Sequence, residues 1–243
     1  MKKLLIAMAF AGLSLSSMAQ ETADPTLKYS VATNSFWSNW FVQGNFTWTA
    51  FYSNEEKGMG WTKSPVKDFR RDMGFSAAIG KWFTPGIGIR AKFNGIWGKD
   101  VPKENAYNTC MHNKYWNLQG QALFNLSNLF CGYSPTRVWN ISPYAGIGLV
   151  RNMSLNSYCM AGSAGILNQW RVSKRVQINL DVQYNIMGDD FEGVDESLAY
   201  GGHEKRNHDQ IVSAEIGLTY NLGRCTWNKT PDVDAIKRSE EHT

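Results

Sequence analysis

The sequence predicts an all-β protein, an eight-stranded antiparallel up-and-down transmembrane β-barrel. The first observation is a strict alternation of apolar and polar residues over residues 176–186 and again over 212–222. A period of two indicates β-strands, because successive side chains point to opposite faces. The second is that the polar faces of these strands carry Asp181 and Glu215, while their other faces are as apolar as a protein core. The third is an export signal, and strands of about ten residues that follow such a signal are typical of outer-membrane barrels.

The start of the chain has the three parts of a secretory signal. Lys2 and Lys3 form a basic region, residues 4–15 an apolar run, and residues 17–19 a Ser-Met-Ala cleavage site. We therefore interpret residues 1–19 as a signal peptide, because the apolar run is shorter than the roughly 20 residues that a membrane-spanning helix needs. Apolar residues in the rest of the chain are repeatedly interrupted, and mean hydropathy is −0.38. A mature chain that enters a membrane must then do so as closed β-structure, in which every backbone group is bonded internally.

Composition and charge exclude several classes of protein. Aromatic residues make up 13% of the chain and charged residues 19%, which argues against a disordered chain and an ordinary helical soluble domain. Removal of the predicted signal takes away two lysines and no acidic residue, which leaves 23 basic and 21 acidic residues. So small an excess gives no reason to predict nucleic acid as a partner.

The alternation predicts eight strands, at residues 40–52, 74–82, 87–97, 115–126, 138–150, 159–170, 176–186 and 212–222. Pro85 and Gly86 predict a tight turn after the second strand. Pro143 lies inside the fifth strand, where a missing backbone donor requires a bulge or an irregular pairing. Gly and Ala hide the phase of the sixth strand.

The connections predict which way the barrel faces. The links at residues 53–70, 98–113 and 187–209 are long and polar, whereas 83–86 and 171–175 are short. Bacterial barrels have short periplasmic turns and long external loops, so the long links are predicted to lie outside the cell. The links at 127–137 and 151–158 have intermediate lengths. Tryptophans such as Trp40, Trp139 and Trp170 fall at strand ends, as in the aromatic girdles of membrane barrels.

The end of the eighth strand carries a more specific pattern. Its residues Gly217, Tyr220 and Leu222, in the run Glu-Ile-Gly-Leu-Thr-Tyr-Asn-Leu, resemble the C-terminal insertion signal of outer-membrane barrels. With this signal and eight strands, the chain resembles the membrane half of the OmpA-like porins of Bacteroidales type over roughly residues 28–236. The run Cys-Thr-Trp-Asn-Lys-Thr-Pro-Asp-Val-Asp-Ala-Ile at residues 225–236 resembles that group's exit from the barrel into a linker.

The resemblance implies a domain plan and a role. It implies an outer-membrane barrel at residues 20–223 and the start of a periplasmic linker at 224–237, and in the family a peptidoglycan-binding domain follows. We expect that domain to be missing here, and we interpret residues 238–243 as a non-native tail. Their sequence Arg-Ser-Glu-Glu-His-Thr matches the translation of a common sequencing adapter.

Four charged residues are predicted to face the interior of the barrel: Arg90, Lys92, Asp181 and Glu215. The interior of an eight-stranded barrel is just wide enough to be filled by side chains. A buried unpaired charge is costly, so we expect these four to form a luminal ion-pair network. They would be surrounded by Gln43, Asn45, Gln119, Gln121, Gln177, Asn179 and Gln183. Structural packing is one interpretation of the network, and gating of a narrow pore is the other.

The four cysteines are predicted to form two disulfides, because an exported chain enters an oxidising compartment. The topology places Cys110 and Cys159 at the outer side and Cys131 and Cys225 at the inner side. A bridge needs Cα atoms within roughly 7 Å, which cannot be met across a membrane about 30 Å thick. The predicted pairs are therefore Cys110–Cys159 and Cys131–Cys225.

These features predict a structural protein of the cell outer membrane that anchors the envelope and has a narrow gated pore as a further role. The alternatives are an adhesin that binds ligands through its outer loops and a barrel enzyme acting on lipid or peptide. The loop residues His112, His203, His208, Asp189 and Asp190 match no metal-ligand or catalytic-triad spacing, so we predict no enzymatic activity, cofactor or metal. The expected partners are outer-membrane lipid and lipopolysaccharide, the barrel-assembly machinery, and peptidoglycan only through the missing domain.

Overall fold

The computed structural model describes residues 29–31, 35–52, 63–67, 70–100, 111–154, 156–188, 208–227 and 229–231. These contain ten strands and one helix. The strands are β1 (Tyr29–Val31), β2 (Trp40–Tyr52), β3 (Arg71–Trp82), β4 (Ile87–Asp100), β5 (Met111–Phe124), β6 (Trp139–Asn152), β7 (Ser157–Arg171), β8 (Val176–Met187), β9 (Asp209–Leu222) and β10 (Lys229–Pro231), and the helix α1 is Leu126–Cys131.

Strands β2 to β9 form a closed barrel in which each strand pairs with its neighbour in sequence. The barrel closes where β2 pairs antiparallel with β9, in a ladder that runs from Trp40↔Leu222 to Tyr52↔Gln210. Closure removes the unpaired strand edges that a membrane does not tolerate. The predicted eight-stranded antiparallel barrel is confirmed. Within the described residues, no helix has the length and hydropathy needed to cross a membrane.

A separate unit contains the two shortest strands. Strands β1 and β10 pair antiparallel, with Tyr29 opposite Pro231 and Val31 opposite Lys229. They belong to the unit of residues 1–32 and 228–243, whereas the barrel belongs to residues 33–227.

The barrel is apolar outside and polar inside. On the exterior, Ile147 and Met160 are 70% and 68% exposed. On the interior, Lys92 and Asp181 are 0% exposed. This arrangement is the inverse of a soluble barrel, because lipid rather than water has to surround the outer face.

The chain between β5 and β6 differs from its prediction. The fourth predicted strand extends to residue 126, but β5 ends at Phe124 and Leu126 begins α1. Asn125 caps the helix, since its side-chain oxygen accepts a hydrogen bond from the backbone N–H of Asn128 at 3.0 Å. Gly132 ends the helix with a φ of 68°, which favours glycine. A local capping pattern therefore overrides the alternation of the strand.

Pro143 lies where one ladder stops. It pairs with Ile166 across β6 and β7. On its other side, the ladder between β5 and β6 ends at Leu123↔Tyr144, one residue before the proline. The predicted irregular pairing therefore takes the form of an early end to the β5–β6 ladder.

The two short turns share one chemistry and mark one end of the barrel. In the β3–β4 turn, the hydroxyl of Thr84 accepts a hydrogen bond from the N–H of Ile87 at 2.9 Å. In the β7–β8 turn, the hydroxyl of Ser173 accepts one from the N–H of Val176 at 3.1 Å. Both short turns lie at one end of the barrel, and the connections after β2, β4 and β8 lie at the other end. Loop length predicts that the short-turn end faces the periplasm.

The segment that leaves β9, residues 224–227, runs along the short-turn end of the barrel. We call it the exit segment. The backbone carbonyl of Arg224 accepts a hydrogen bond from the N–H of Asn39 at 2.8 Å, beside the start of β2. The thiol of Cys225 donates to the carbonyl of Lys174 in the β7–β8 turn at 3.4 Å. The N–H of Trp227 donates to the hydroxyl of Tyr133, between α1 and β6, at 3.1 Å.

Candidate functional site

The structure brings the four predicted charged side chains together in the barrel lumen. The guanidinium Nη2 of Arg90 lies 3.0 Å from Oδ2 of Asp181. The Nζ of Lys92 lies 3.0 Å from the same oxygen and 2.9 Å from Oε1 of Glu215. All four side chains are 0% exposed, so the ion pairs are separated from water on both sides of the membrane.

Strand register explains why the charges meet. Asp181 and Glu215 are opposite each other in the ladder between β8 and β9. Arg90 and Lys92 are two residues apart on β4, so both side chains point into the lumen. Like charges opposite each other in a sheet are destabilising. The two pairs of like charge therefore stabilise one another across the lumen.

Amides complete the coordination of the two cations. Arg90 donates from Nε to Oε1 of Gln121 and from Nη1 to Oε1 of Gln43, both at 2.8 Å. Lys92 donates from Nζ to Oε1 of Gln183 at 2.9 Å. Arg90 thus contacts β2, β5 and β8 at once. The three glutamines are among the seven polar residues predicted to surround the charges.

Sequence reasoning missed two hydroxyl groups that bind the carboxylates. Tyr144 donates from its hydroxyl to Oδ1 of Asp181 at 2.6 Å, and its ring lies 4.7 Å from the guanidinium carbon of Arg90. Ser76 donates from its hydroxyl to Oε2 of Glu215 at 2.6 Å, beside the amide of Asn45 at 3.1 Å. Each lies at an inward position of its strand, so the alternation could have found them. The small residues on β3 and the proline next to Tyr144 obscured that phase.

Apolar side chains fill the lumen on both sides of the charges. We call the group next to the long loops the outer apolar layer: Phe51, Tyr115, Val150, Cys159, Ala161, Met187 and Ile211. We call the group next to the short turns the inner apolar layer: Phe41, Leu123, Tyr144 and Leu167, with Trp82 packed against them. Every member of the two buried clusters is at most 8% exposed. The ion pairs therefore lie between two apolar layers and away from bulk water, where loss of one partner is far more costly than at a surface.

The four charged side chains form an electrically neutral centre. Two cations and two carboxylates neutralise one another, and most of their remaining hydrogen-bonding atoms contact amides and hydroxyls. Among the described residues, no group of three or more His, Cys, Asp or Glu side chains is placed to hold a metal ion. His208 is exposed at the start of β9, while His203, Asp189 and Asp190 lie outside the described residues, and His112 has no described side chain.

The three residues of the predicted insertion signal lie on β9. Tyr220 and Leu222 are 41% and 37% exposed on the lipid-facing side near the periplasmic end. Gly217 is tightly packed, because an added Cβ would lie 2.2 Å from both Oδ1 of Asn45 and the carbonyl oxygen of Gly44. The glycine of the signal therefore has a packing role of its own at the barrel seam.

The cysteines differ from their predicted pairing. Cys131 and Cys225 are free thiols in the structure, so the predicted bridge between them is not formed. The physical reason is the path of the exit segment, which takes the Cys225 thiol to the β7–β8 turn, whereas Cys131 ends α1 after β5. Cys110 lies outside the described residues, and Cys159 is buried in the outer apolar layer. The Cys110–Cys159 bridge stays a prediction, as do the signal peptide at 1–19 and the tail at 238–243, which also lie outside the described residues.

No known protein-family profile matches the chain. Outer membrane protein 40 of Porphyromonas gingivalis (strain ATCC BAA-308 / W83) is 30% identical over 161 residues, which cover 64% of this chain and 41% of that protein. The chain thus spans about two fifths of the relative's length. The closed barrel with an apolar exterior and a charged interior, together with this relative, shows in which membrane the protein lies. The chain is a β-barrel of the outer membrane.

Solved barrels with low sequence identity are also similar to this one. Neisserial surface protein A matches with a TM-score of 0.45 and 11% identity, over 75% of this barrel protein and 97% of that chain. Ail, the attachment invasion locus protein of Yersinia pestis, matches with a TM-score of 0.41 and 10% identity, over 76% and 99% of the two chains.

Proposed function

We propose that this barrel is a structural, OmpA-like anchor whose lumen is closed in the resting state. The observation that carries the proposal is the ion-pair network, whose four side chains are 0% exposed and lie between two apolar layers. A solute that crossed the lumen would have to separate Lys92 or Arg90 from the carboxylates. Removal of one partner from a buried ion pair costs about 3–5 kcal/mol, which opposes free passage.

The anchoring role extends to the envelope. The matched relative is much longer than the region that it shares with this chain, because the match covers only 41% of the relative's length. We infer that the barrel holds a longer polypeptide in the outer membrane, and that a periplasmic domain beyond residue 236 binds peptidoglycan. The position of the exit segment on the periplasmic end supports this polarity. Recovery of the reading frame beyond Ile236, followed by a peptidoglycan sedimentation assay of its product, tests the tether.

Planar-bilayer recording of the purified mature barrel tests the closed lumen. We expect long closed periods at moderate voltage, because the charges remain paired between the apolar layers. The matched comparison is the double variant Arg90→Gln and Lys92→Gln, in which the two carboxylates lose their cations. Steady conductance of the unmodified barrel would contradict the proposal.

A gated narrow pore is the second candidate, favoured by one detail of the network. Arg90 and Lys92 approach the same oxygen of Asp181, each at 3.0 Å, and Lys92 also contacts Glu215. The cations thus have alternative partners, and an exchange of partners would open a path along the polar face of β8. Voltage-dependent openings that disappear in Lys92→Gln would favour this role over a permanently closed anchor.

We propose no catalytic role. The proposed partners of the barrel are outer-membrane lipids, including lipopolysaccharide, and the assembly machinery, which would recognise Gly217, Tyr220 and Leu222 on β9. An adhesin remains the alternative that involves the outer loops. Cell-binding assays with and without residues 189–207 would separate it from the anchor.

A further inference from the structure

One sector of the barrel has no acidic residue. Between Glu104 and Asp181 the sequence contains no Asp or Glu, yet it contains six Lys or Arg residues from Lys114 to Arg175. This stretch forms β5, β6 and β7 together with their connections. Cations on a membrane-facing wall whose own strands carry no carboxylate are available to anionic lipid headgroups.

Two of these cations lie together on the exterior at the outer end of the sector. Lys114 is exposed three residues into β5, and Arg151 is half-buried one residue before the end of β6. Arg151 lies opposite Trp116, which is the next outward residue after Lys114. Diagonal neighbours of this kind have Cβ atoms within roughly 7–8 Å, so one phosphate group can contact both cations. Neither side chain forms a salt bridge with a described residue.

Arg151 is held in place by its neighbours. Its guanidinium carbon lies 5.0 Å from the ring centroid of Tyr158, which is its ladder partner on β7. Its Nη2 donates to Oδ1 of Asn156 at 2.9 Å. An arginine that is already oriented loses little conformational freedom when it binds a phosphate in bidentate geometry.

Directly below the cations the same wall is apolar. Leu149 lies two residues from Arg151 on the same face and is paired with Met160, and these side chains are 51% and 68% exposed. Leu118 lies opposite Leu149 and is 48% exposed. Along β6, the lipid-facing surface therefore changes from acyl-chain contact at Leu149 to phosphate contact at Arg151, two residues further along the strand. We expect this change to lie at the boundary of the outer leaflet.

We propose that Lys114, Arg151 and Tyr158 form a binding site for the phosphate of lipid A, the outer-leaflet glycolipid of lipopolysaccharide. The outward position and outer-leaflet depth of the cations select this source over periplasmic phosphates and inner-leaflet phospholipids. This lipid-binding role is additional to the proposed anchoring role. It does not depend on whether the lumen conducts, because the site lies on the exterior of the barrel. It would fix a lipid at the junction of β5, β6 and β7.

Native mass spectrometry of the folded full chain in detergent, titrated with purified lipid A, tests the site. We expect removal of the lipid's phosphates to weaken binding by about tenfold or more, since each of the two basic residues contributes on the order of a factor of five near a charged lipid surface. Equal binding of phosphorylated and dephosphorylated lipid A would overturn the proposal without any variant. Binding of phosphatidylglycerol as tight as that of lipid A would overturn the assignment to the glycolipid.

A matched pair of charge-removing variants locates the site. We expect the double variant Lys114→Gln and Arg151→Gln to weaken lipid A binding by about tenfold or more, because the two positive charges make the main contribution to affinity. Arg151→Lys keeps the charge and should retain most of the affinity. The control, Arg171→Gln with Lys174→Gln, removes the same charge from the same sector at the periplasmic end and should bind as the parent does. Equal loss in the control, or no loss at the outer pair, would overturn the site. Gel mobility with and without boiling checks that each variant is folded.

Discussion

Asp181 and Glu215 face each other across the ladder between β8 and β9, and one ammonium group, that of Lys92, contacts both carboxylates at 3.0 and 2.9 Å. The sheet register alone would hold two negative charges side by side at positions that are 0% exposed. Lys92 is therefore the residue on which the compatibility of β8 with β9 depends, and the first prediction tests this dependence.

Lys92→Met should destabilise the barrel by about 3–5 kcal/mol, because both carboxylates lose a buried cation. Addition of Asp181→Asn should recover part of that loss, so the double variant should be less destabilised than the sum of the single variants. Urea unfolding in detergent measures the three free energies. Lys174→Met in the β7–β8 turn serves as the exposed control, and strict additivity of the luminal changes would remove the case for direct pairing.

Tyr144→Phe should cost about 1–3 kcal/mol of stability. The change removes the hydrogen bond to Oδ1 of Asp181 but keeps the ring beneath Arg90. Tyr158→Phe is the matched control, since that side chain is 55% exposed on the exterior and should change stability by less than about 0.5 kcal/mol. Equal effects of the two changes in urea unfolding would argue against a structural role for the buried hydroxyl.

Gly217→Ala should destabilise the seam of the barrel, since its Cβ would lie 2.2 Å from backbone and side-chain oxygens of β2. Overpacking of this kind costs about 1–3 kcal/mol. Gly44→Ala, on the partner strand, has no heavy atom within 4 Å of its added Cβ and is the control. The fraction of folded barrel after insertion into lipid vesicles, read from gel mobility without boiling, compares the two. If the two variants insert equally, the close approach at Gly217 does not limit folding.

Alkylation of the unreduced protein followed by peptide mapping should label Cys131 and Cys225, because both are free thiols. The same map tests the predicted Cys110–Cys159 bridge, which would appear as one crosslinked peptide pair. A Cys110–Cys225 crosslink would contradict the topology itself, since it would join the two ends of the barrel.

The alternation of side chains was sufficient to predict eight strands and the inward direction of Arg90, Lys92, Asp181 and Glu215. It worked because lipid on one side and a packed lumen on the other leave each residue only one acceptable face. It failed where local chemistry competes with alternation, as at Asn125, where a side-chain cap starts α1 instead of extending a strand.

Contacts across the lumen were harder to predict than strand direction. The mutual pairing of the four charges followed from the cost of leaving a buried charge unpaired. The contacts of Tyr144 and Ser76 depend on side-chain reach, which a strand pattern does not contain. The Cys131–Cys225 prediction failed for a related reason. The path of an irregular segment such as residues 224–227 is set by hydrogen bonds to distant turns, which no periodicity in the sequence reports.

That path has a mechanical consequence. The exit segment is hydrogen-bonded to the β7–β8 turn through Cys225 and to Tyr133, beside α1, through Trp227. Tyr133 belongs to the connection between β5 and β6, which lies four strands from the β2–β9 seam in either direction. A pull on the C-terminal tail would load these two fastenings before it reached the hydrogen bonds between β9 and β2. Force applied to the chain after residue 227 would therefore be distributed over several turns at this end of the barrel. The hydrogen bonds that hold β9 to β2 would not be the first to carry it.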